Sequence, residues 1–438
     1  MKDKIMNSEI YKNRRKVLLE RIRSQYPKHH GALVLFANFE HDGAPFRQEG
    51  SFFYLSGIRE PGVALYVDLD GTTTLYIPNC GDVRTQWVAE SIPLTQENAQ
   101  ELGVDFVKPL GTQCLGYAFH PFFPQAEYEH LLEALAEVCA QKGSIFTLAP
   151  QDQRSCVEQR LLLKRLEEFM PGIFQSDHGE QGRTIVDVLP IIAHMRRIKS
   201  QEEIEYLYKA IEITALAQEA AAHAIADGVR ECEVQAGLEY IITGSCSRTT
   251  FPSIVATGKN ATVLHYNLNR DTLIDGDLVV VDCGAEYDYY CADITRTYPV
   301  SGKFTKRQKE LYTIVLETQE YIASIAKPGM WISNKEKPDQ SLNHLTKKFL
   351  KDKGGYDQYM PHGIGHFLGI DVHDVGDVSK PLEEGDVITI EPGIYIRQEG
   401  IGIRIEDDYW IVKDGAVCLS EDIPKSIKDI ESLVKKTL

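Results

Sequence analysis

DLVVVDCGAEYDYYCADITRTYPV, residues 277–300, decides how the C-terminal half of the chain is read. Leu278 to Val281 is a short unbroken apolar run, the pattern of a strand covered on both faces. It ends in an acid, Asp282, and a second acid, Asp293, follows 11 residues later, after a connection that opens with Gly284. A chain reversal between them brings the two carboxylates face to face. A charged carboxyl at the end of a buried strand is costly unless it is paired or bound to metal.

The same arrangement recurs downstream. Glu391 ends VITI ahead of Pro392-Gly393, and Glu406 stands two residues after Arg404 in the strand-like GIGIRIEDDYWIV (400–412). Each acid alone reads equally well as a salt-bridged strand end, but four of them in β-rich segments point to a shared partner. Between the two pairs lies MPHGIGHFLGIDVHDVG (360–376), which holds His362, His366 and His373, three of the chain's 13 histidines. The i, i+4 spacing of His362 and His366 imitates a zinc-protease helix, yet Gly363 and Gly365 replace the required Glu and a helix former. Those glycines predict a loop whose backbone approaches something closely. They do not make a dinucleotide fingerprint, because the spacing is wrong and histidines would obstruct a pyrophosphate. His29, His30, His120 and His344 read as hydrogen-bonded structural residues.

Working outward, 438 residues exceed one ordinary core and predict two domains, 1–190 and 191–438. Short strands are expected over 32–77, with a hairpin at Asp70-Gly71, a helix within 126–143, and a polar connection over 170–187. Ser200 with Glu203, and Thr305 with Gln308, have capping-box spacing ahead of two amphipathic helices. The composition, 43% hydrophobic and 25% charged, suits a soluble globular protein, and no apolar run approaches membrane-spanning length. The N-terminus lacks the apolar block of a signal peptide, so a cytoplasmic location is expected. Nine scattered cysteines without a CxxC pair suit reduced thiols. A net charge of −17 argues against nucleic acid, and KKFLKDKGG (347–355) reads as a solvated helix face. An oxygen-rich set of two Asp, two Glu and one imidazole suits hard or borderline divalent metals such as manganese. Four carboxylates balance two divalent ions and overwhelm one, and a metal pair can share and acidify a water.

VDCGAEYDYYCADITRTYPVSG, PHGIGHFLGIDVHDVG, ITIEPGIYI and GIGIRIEDD resemble, in order and interval, the metal-site motifs of the pita-bread metallopeptidases. The likeness is to the branch containing Xaa-Pro aminopeptidases (aminopeptidase P) and Xaa-Pro dipeptidases (prolidases). APFRQEGSFFYLSGIREPGVAL (44–65) is similar to the N-terminal domain of that branch, and MRRIKSQEEI (195–204) to its domain junction, while 110–190 matches loosely. The resemblance implies an α+β protein in which a smaller α/β domain with a mixed sheet precedes a pita-bread (creatinase/aminopeptidase-type) catalytic domain. It implies two divalent ions held by Asp282, Asp293, His366, Glu391 and Glu406, with Asp293 and Glu406 bridging. Glu391 would serve as base, His373 would bond the substrate and its oxyanion, and His265 and His362 would line the substrate pocket, with Arg404 and Tyr395 organising the site. The implied reaction is removal of the first residue from peptides with proline second. A homo-oligomer is implied as well, its N-terminal domains serving assembly and substrate restriction.

Overall fold

The structure, a computed structural model, describes residues 7–40, 45–80, 84, 86–87, 94–112, 125–149, 157–169, 171 and 185–434. Two units divide the chain, 1–193 and 194–438. In chain order the first contains α1 (Ser8–Gln25), β1 (Gly31–Phe36), α2 (Gly50–Ser56), β2 (Ala64–Asp68), β3 (Thr73–Ile77), β4 (Phe106–Pro109), α3 (Glu129–Ala140), β5 (Ser144–Thr147), α4 (Val157–Phe169) and β6 (Ile185–Asp187). Helix α5 (Leu189–Arg197) crosses into the second unit.

The first unit's sheet runs β4-β3-β2-β1-β5-β6, with antiparallel pairs at β3-β2 and β2-β1 and parallel pairs elsewhere, so it is mixed. The β2–β3 turn falls at Asp70-Gly71, where Gly71 takes φ +110°, a value that an L side chain resists. Val34, Phe36, Tyr66, Leu131, Leu135 and Ile145 form the centre of its core.

Two expectations change. Residues 32–77 are not all strand: Glu49 accepts the Phe52 N–H at 2.6 Å and Gly57 closes the turn at φ +68°, so Gly50–Ser56 coils into α2. The polar stretch 170–187 is not only a connection, because its last three residues pair parallel to β5 as β6. His29 and His30 bond Ser144 Oγ at 2.9 Å and the Gln141 carbonyl at 2.8 Å, the structural roles expected of them. His120 lies outside the described residues.

The second unit continues with α6 (Gln201–Ala224), α7 (Glu231–Gly244), β7 (Arg248–Thr249), β8 (Ile254–Thr257), β9 (Leu278–Cys283), β10 (Ala285–Tyr287), β11 (Tyr290–Cys291) and β12 (Ile294–Pro299). It then runs through α8 (Lys306–Ile325), α9 (Leu342–Asp352), β13 (Val387–Ile390), β14 (Gly393–Ile396), β15 (Ile401–Arg404), β16 (Asp407–Val412), β17 (Gly415–Cys418) and α10 (Ile427–Val434). Full capping boxes start α6 at Ser200 and α8 at Thr305. β9 is central in β12-β9-β8 and buried along its whole length. Val279 and Val281 enter a core shared with α6, α7 and α8, while Val280 packs with Ile254, Ala256 and Tyr266 on the other face. A two-residue period therefore sends Asp282 to the face of Val280, away from that larger core.

In α9 the basic run departs from a purely solvated face, since Lys347 is partly buried and donates to the Met360 and Asp357 carbonyls. His344 bonds Ser341 Oγ at 2.8 Å.

Candidate active site and metal centre

The register of β9 with β12 pairs Asp282 with Thr295. Asp293 stands two residues before Thr295, so both acids project from one face as diagonal neighbours rather than directly opposite. The reversal between them is not a simple hairpin: β10 and β11 pair with each other, and β10 also pairs with β7. The second acid pair departs further from expectation. GIGIRIEDD does not form one strand, because the chain leaves β15 after Arg404 and joins β13 as β16 from Asp407, which puts Glu406 at the break.

Two buried glutamines hold these strand ends. From α6, Gln218 Nε2 donates to the carbonyls of Val281 (3.2 Å) and Ile294 (2.8 Å), each adjacent to an acid of the first pair. From α8, Gln319 Nε2 donates to Ile390 (3.0 Å) and Ile405 (3.1 Å), each adjacent to an acid of the second. One amide per pair thus fixes backbone that would otherwise carry unsatisfied acceptors.

His366 is aimed by its other nitrogen. Its Nδ1 sits 3.0 Å from the Phe367 carbonyl, the partner for an Nδ1–H tautomer that leaves the Nε2 lone pair free for a cation. Nε2 faces Asp293 Oδ2 at 3.4 Å and Glu391 Oε1 at 3.8 Å. Gly365 is obligatory for this approach, since a Cβ there would lie 2.0 Å from the Thr389 carbonyl; Gly363 has open space.

Ligand atoms of Asp293, His366 and Glu406 lie within 4.8 Å of one another, the reach of a single ion. Asp282 and Glu391 flank that triad in the same cavity. Asp282 takes Arg404 Nη2 on Oδ2 at 2.5 Å, while its buried Oδ1 has no hydrogen-bond partner. Glu406 accepts from Thr295 Oγ1 at 2.7 Å.

In this cavity the carboxylates outnumber the protein's own cations. Burial, reinforced by Asp293, Glu391 and Asp282, raises Glu406 well above the carboxylate range despite Arg404. Burial likewise lifts Glu391 to about 7 and, against the pull of His366, Asp293 to about 6. Burial would lower His366, but its hydrogen bond to Asp293 and the Asp293 and Glu391 charges prevail and raise it to about 9. Converging oxygens, an orphaned Asp282 oxygen and an imidazole with Nε2 presented fit divalent cations well.

All ten residues singled out from the sequence line one cavity of about 370 Å³, in the range of small-ligand sites. His362 Nε2 meets Tyr395 Oη at 3.0 Å, and Arg404 Nη1 donates to that same hydroxyl at 3.0 Å. Burial, with Arg404 beyond the hydroxyl, depresses His362 to about 4. The His373 ring packs edge-on against His366, with centroids 4.4 Å apart, and burial together with that neighbour lowers its pKa. His265 lies on the cavity wall.

The sequence reading missed the apolar wall of Phe251, Pro252, Ile254, Leu264 and Val372, together with Asn267. It also missed Asp408, a fully buried acid that accepts the Asp293 N–H at 3.3 Å, and Glu231. This fully buried acid accepts from Thr257 N, Asn260 Nδ2, Tyr266 Oη and Asp271 N, and so fastens the segment that carries His265. In sequence, Glu231 resembles any acid at a helix start.

Comparison with known proteins places this geometry in context. The Metallopeptidase family M24 profile matches residues 205–413, and that of the Aminopeptidase P N-terminal domain matches 11–113. A Xaa-Pro aminopeptidase of Haemophilus influenzae is 32% identical over 92% of this chain and 93% of its own. A Xaa-Pro dipeptidase of Pyrococcus furiosus is 36% identical over 68% of this chain and 84% of its own. Among solved structures, proline aminopeptidase P II from Yersinia pestis superposes with a TM-score of 0.80 at 31% identity, covering 98% of this chain and 99% of that one.

Proposed function

The chain belongs to metallopeptidase family M24, in its Xaa-Pro aminopeptidase branch, and on that premise we propose that it removes the N-terminal residue from peptides whose second residue is proline. It is a metal-dependent exopeptidase. The observation that carries the finer reading is the single cavity that gathers four acids, four histidines and Arg404 beside an apolar wall. The full-length likeness to aminopeptidases, against 68% coverage by the dipeptidase, favours substrates longer than two residues.

In this reading Asp282, Asp293, His366, Glu391 and Glu406 hold two divalent ions, manganese in the first instance. When bound, such ions supply Lewis acidity and lower the pKa of water at the site. Glu391 takes the proton of the attacking water and delivers it to the proline nitrogen as the bond breaks. Glu391 Oε2 lies 3.5 Å from His362 Nδ1, which sets the base beside a residue of the cavity wall. His373, whose pKa burial and the neighbouring His366 lower, donates a ring N–H to the scissile carbonyl as negative charge grows there, a contribution of about 3 kcal/mol per donor. Arg404 pairs with Asp282 and, through the Tyr395 hydroxyl, fixes His362. Proline has no amide N–H, so enzymes that bond that group lose it, and an apolar wall formed around the ring turns the lack into selectivity.

The proposal extends to a homo-oligomer, with residues 1–190 in assembly and substrate restriction and 191–438 in catalysis. It places the protein in the cytoplasm, in keeping with the free state of every described cysteine. No helix among the described residues is long and apolar enough to cross a membrane.

The test is an assay of purified protein on Arg-Pro-Pro and Gly-Pro, with manganese and with chelator. Release of arginine from the tripeptide, lost on chelation, is expected. Cleavage of Gly-Pro alone would make it a dipeptidase, and cleavage of neither peptide would overturn the reading.

A further inference from the structure

His366 and His373 bracket a loop that closes on itself, the Asp374 N–H donating to the Phe367 carbonyl at 2.9 Å. Cys291 N–H holds the Gly369 carbonyl at 2.9 Å, and its thiol reaches the Ile370 carbonyl at 3.2 Å. The charged anchors come from the MRRIKS stretch. Arg196 Nη2 bonds Asp374 Oδ1 at 2.5 Å and Asp371 Oδ2 at 2.7 Å, and Lys199 Nζ bonds Asp374 Oδ2 at 3.1 Å. The side chains of Arg196, Lys199 and Asp374 are each 1% exposed. A Cβ at position 369 would lie 2.2 Å from Asp374 Oδ2 and 2.9 Å from Lys199 Cε, so the loop backbone runs directly against the ion pair. Arg197, next in sequence, forks onto Asp386 instead, at 2.6 Å through both Nε and Nη2.

Burying two cations against one buried carboxylate and one partly exposed one is a poor route to stability, since apolar side chains of similar volume serve a fold as well or better. What the cluster gives is orientation. Both oxygens of Asp374 are committed, one to each cation, and Asp374 adjoins His373 directly. We propose that Arg196, Lys199 and Asp374 form a buried ionic clamp that sets where the His373 imidazole stands in the cavity. They are positioning residues, and the inference rests on the role proposed above for His373. The junction motif thereby acquires a chemical role, reaching back from the start of the unit to hold one wall of the site.

The experiment compares Lys199→Met, Asp374→Asn and the milder Asp371→Asn, each in the wild-type and the His373→Ala background of the manganese-loaded full chain. Steady-state kinetics, metal content and hydrogen exchange of the 367–374 segment are read on each. Misplacing His373 should lower kcat by roughly ten- to a hundredfold in Lys199→Met and Asp374→Asn, with KM within about twofold. Bound metal should be unchanged, and exchange should quicken within 367–374. In the His373→Ala background the same changes should cost less than about twofold more, because the group they position is gone. Unchanged kcat in folded variants, or losses that multiply fully with His373→Ala, would overturn the clamp. If the two stronger variants do not fold, Asp371→Asn, whose side chain is 32% exposed, carries the same test with a several-fold effect. Should the unmodified chain cleave no peptide, the proposed function fails separately, and exchange decides the clamp. Faster exchange confined to 367–374 keeps it; unchanged exchange removes it.

Discussion

Raising the pH of the metal-free chain should destabilise it, which is opposite to the usual behaviour of salt-bridged acids. Glu391 rises from 4.5 to about 7, Asp293 from 3.8 to about 6, and His366 from 6.5 to about 9. All three bind a proton more tightly in the folded chain than in the unfolded one. Between each ordinary value and each raised value the folded state therefore holds protons that the unfolded state has lost, and stability falls as pH rises. For His366 the stabilisation is complete below 6.5 and gone once pH passes about 9; for the two acids the penalty sets in above their ordinary values and is complete above 6 to 7. A carboxyl moved from 4.5 to about 7 carries about 3 kcal/mol, at about 1.4 kcal/mol per tenfold. The three groups share neighbours, and His362, depressed to about 4, acts in the opposite sense below 6.5, so the expected net fall across the window is that of one group rather than their sum.

Divalent cations replace the protons as counter-charge, so the manganese-loaded chain should show little of this slope, and the stabilisation by metal should grow with pH. Urea midpoints of chelated and manganese-loaded protein across pH 5 to 9 measure it. Glu406→Gln should flatten the metal-free slope by removing one of the repelling acids. Metal-free stability that rises with pH, or an equal slope with manganese present, would refute the reasoning.

Glu391→Gln should lower turnover by roughly a hundred- to ten-thousandfold while the protein still binds metal; near-normal turnover with normal metal content contradicts the assigned base. Arg404→Met leaves buried Asp282 without its cation and should cost about 3–5 kcal/mol in urea unfolding of the metal-free chain, an expectation that a loss under about 1 kcal/mol would sink. Gly365→Ala forces the Thr389 carbonyl and the His366 backbone apart and should weaken metal binding in calorimetry, whereas Gly363→Ala, with open space, should leave it unchanged.

The parts of the site that were legible in sequence share one property: they violate local expectation. Acids ending apolar strands, and glycines between histidines, are hard to explain without a common partner, so Asp282, Asp293, Glu391, Glu406 and His366 stood out. The capping boxes at Ser200 and Thr305 were equally plain, because their chemistry is local. The apolar wall could not be seen, since Phe251, Leu264 and Val372 in a pocket look the same in sequence as residues in a core. Gln218 and Gln319 were hidden because a buried amide on an amphipathic helix gives no sign of which strand ends it will meet. The break at Ile405-Glu406 was also illegible: its alternation suits one long strand, and only pairing with β13 shows the chain changing sheets.

Diffraction from crystals grown with manganese, recorded at the manganese absorption edge, addresses the central claim most directly. The account predicts two anomalous peaks in the 370 Å³ cavity, coordinated by Asp282, Asp293, His366, Glu391 and Glu406 at roughly 2.0–2.6 Å. A single peak on the Asp293, His366 and Glu406 triad, or none within reach of these five residues, would contradict it.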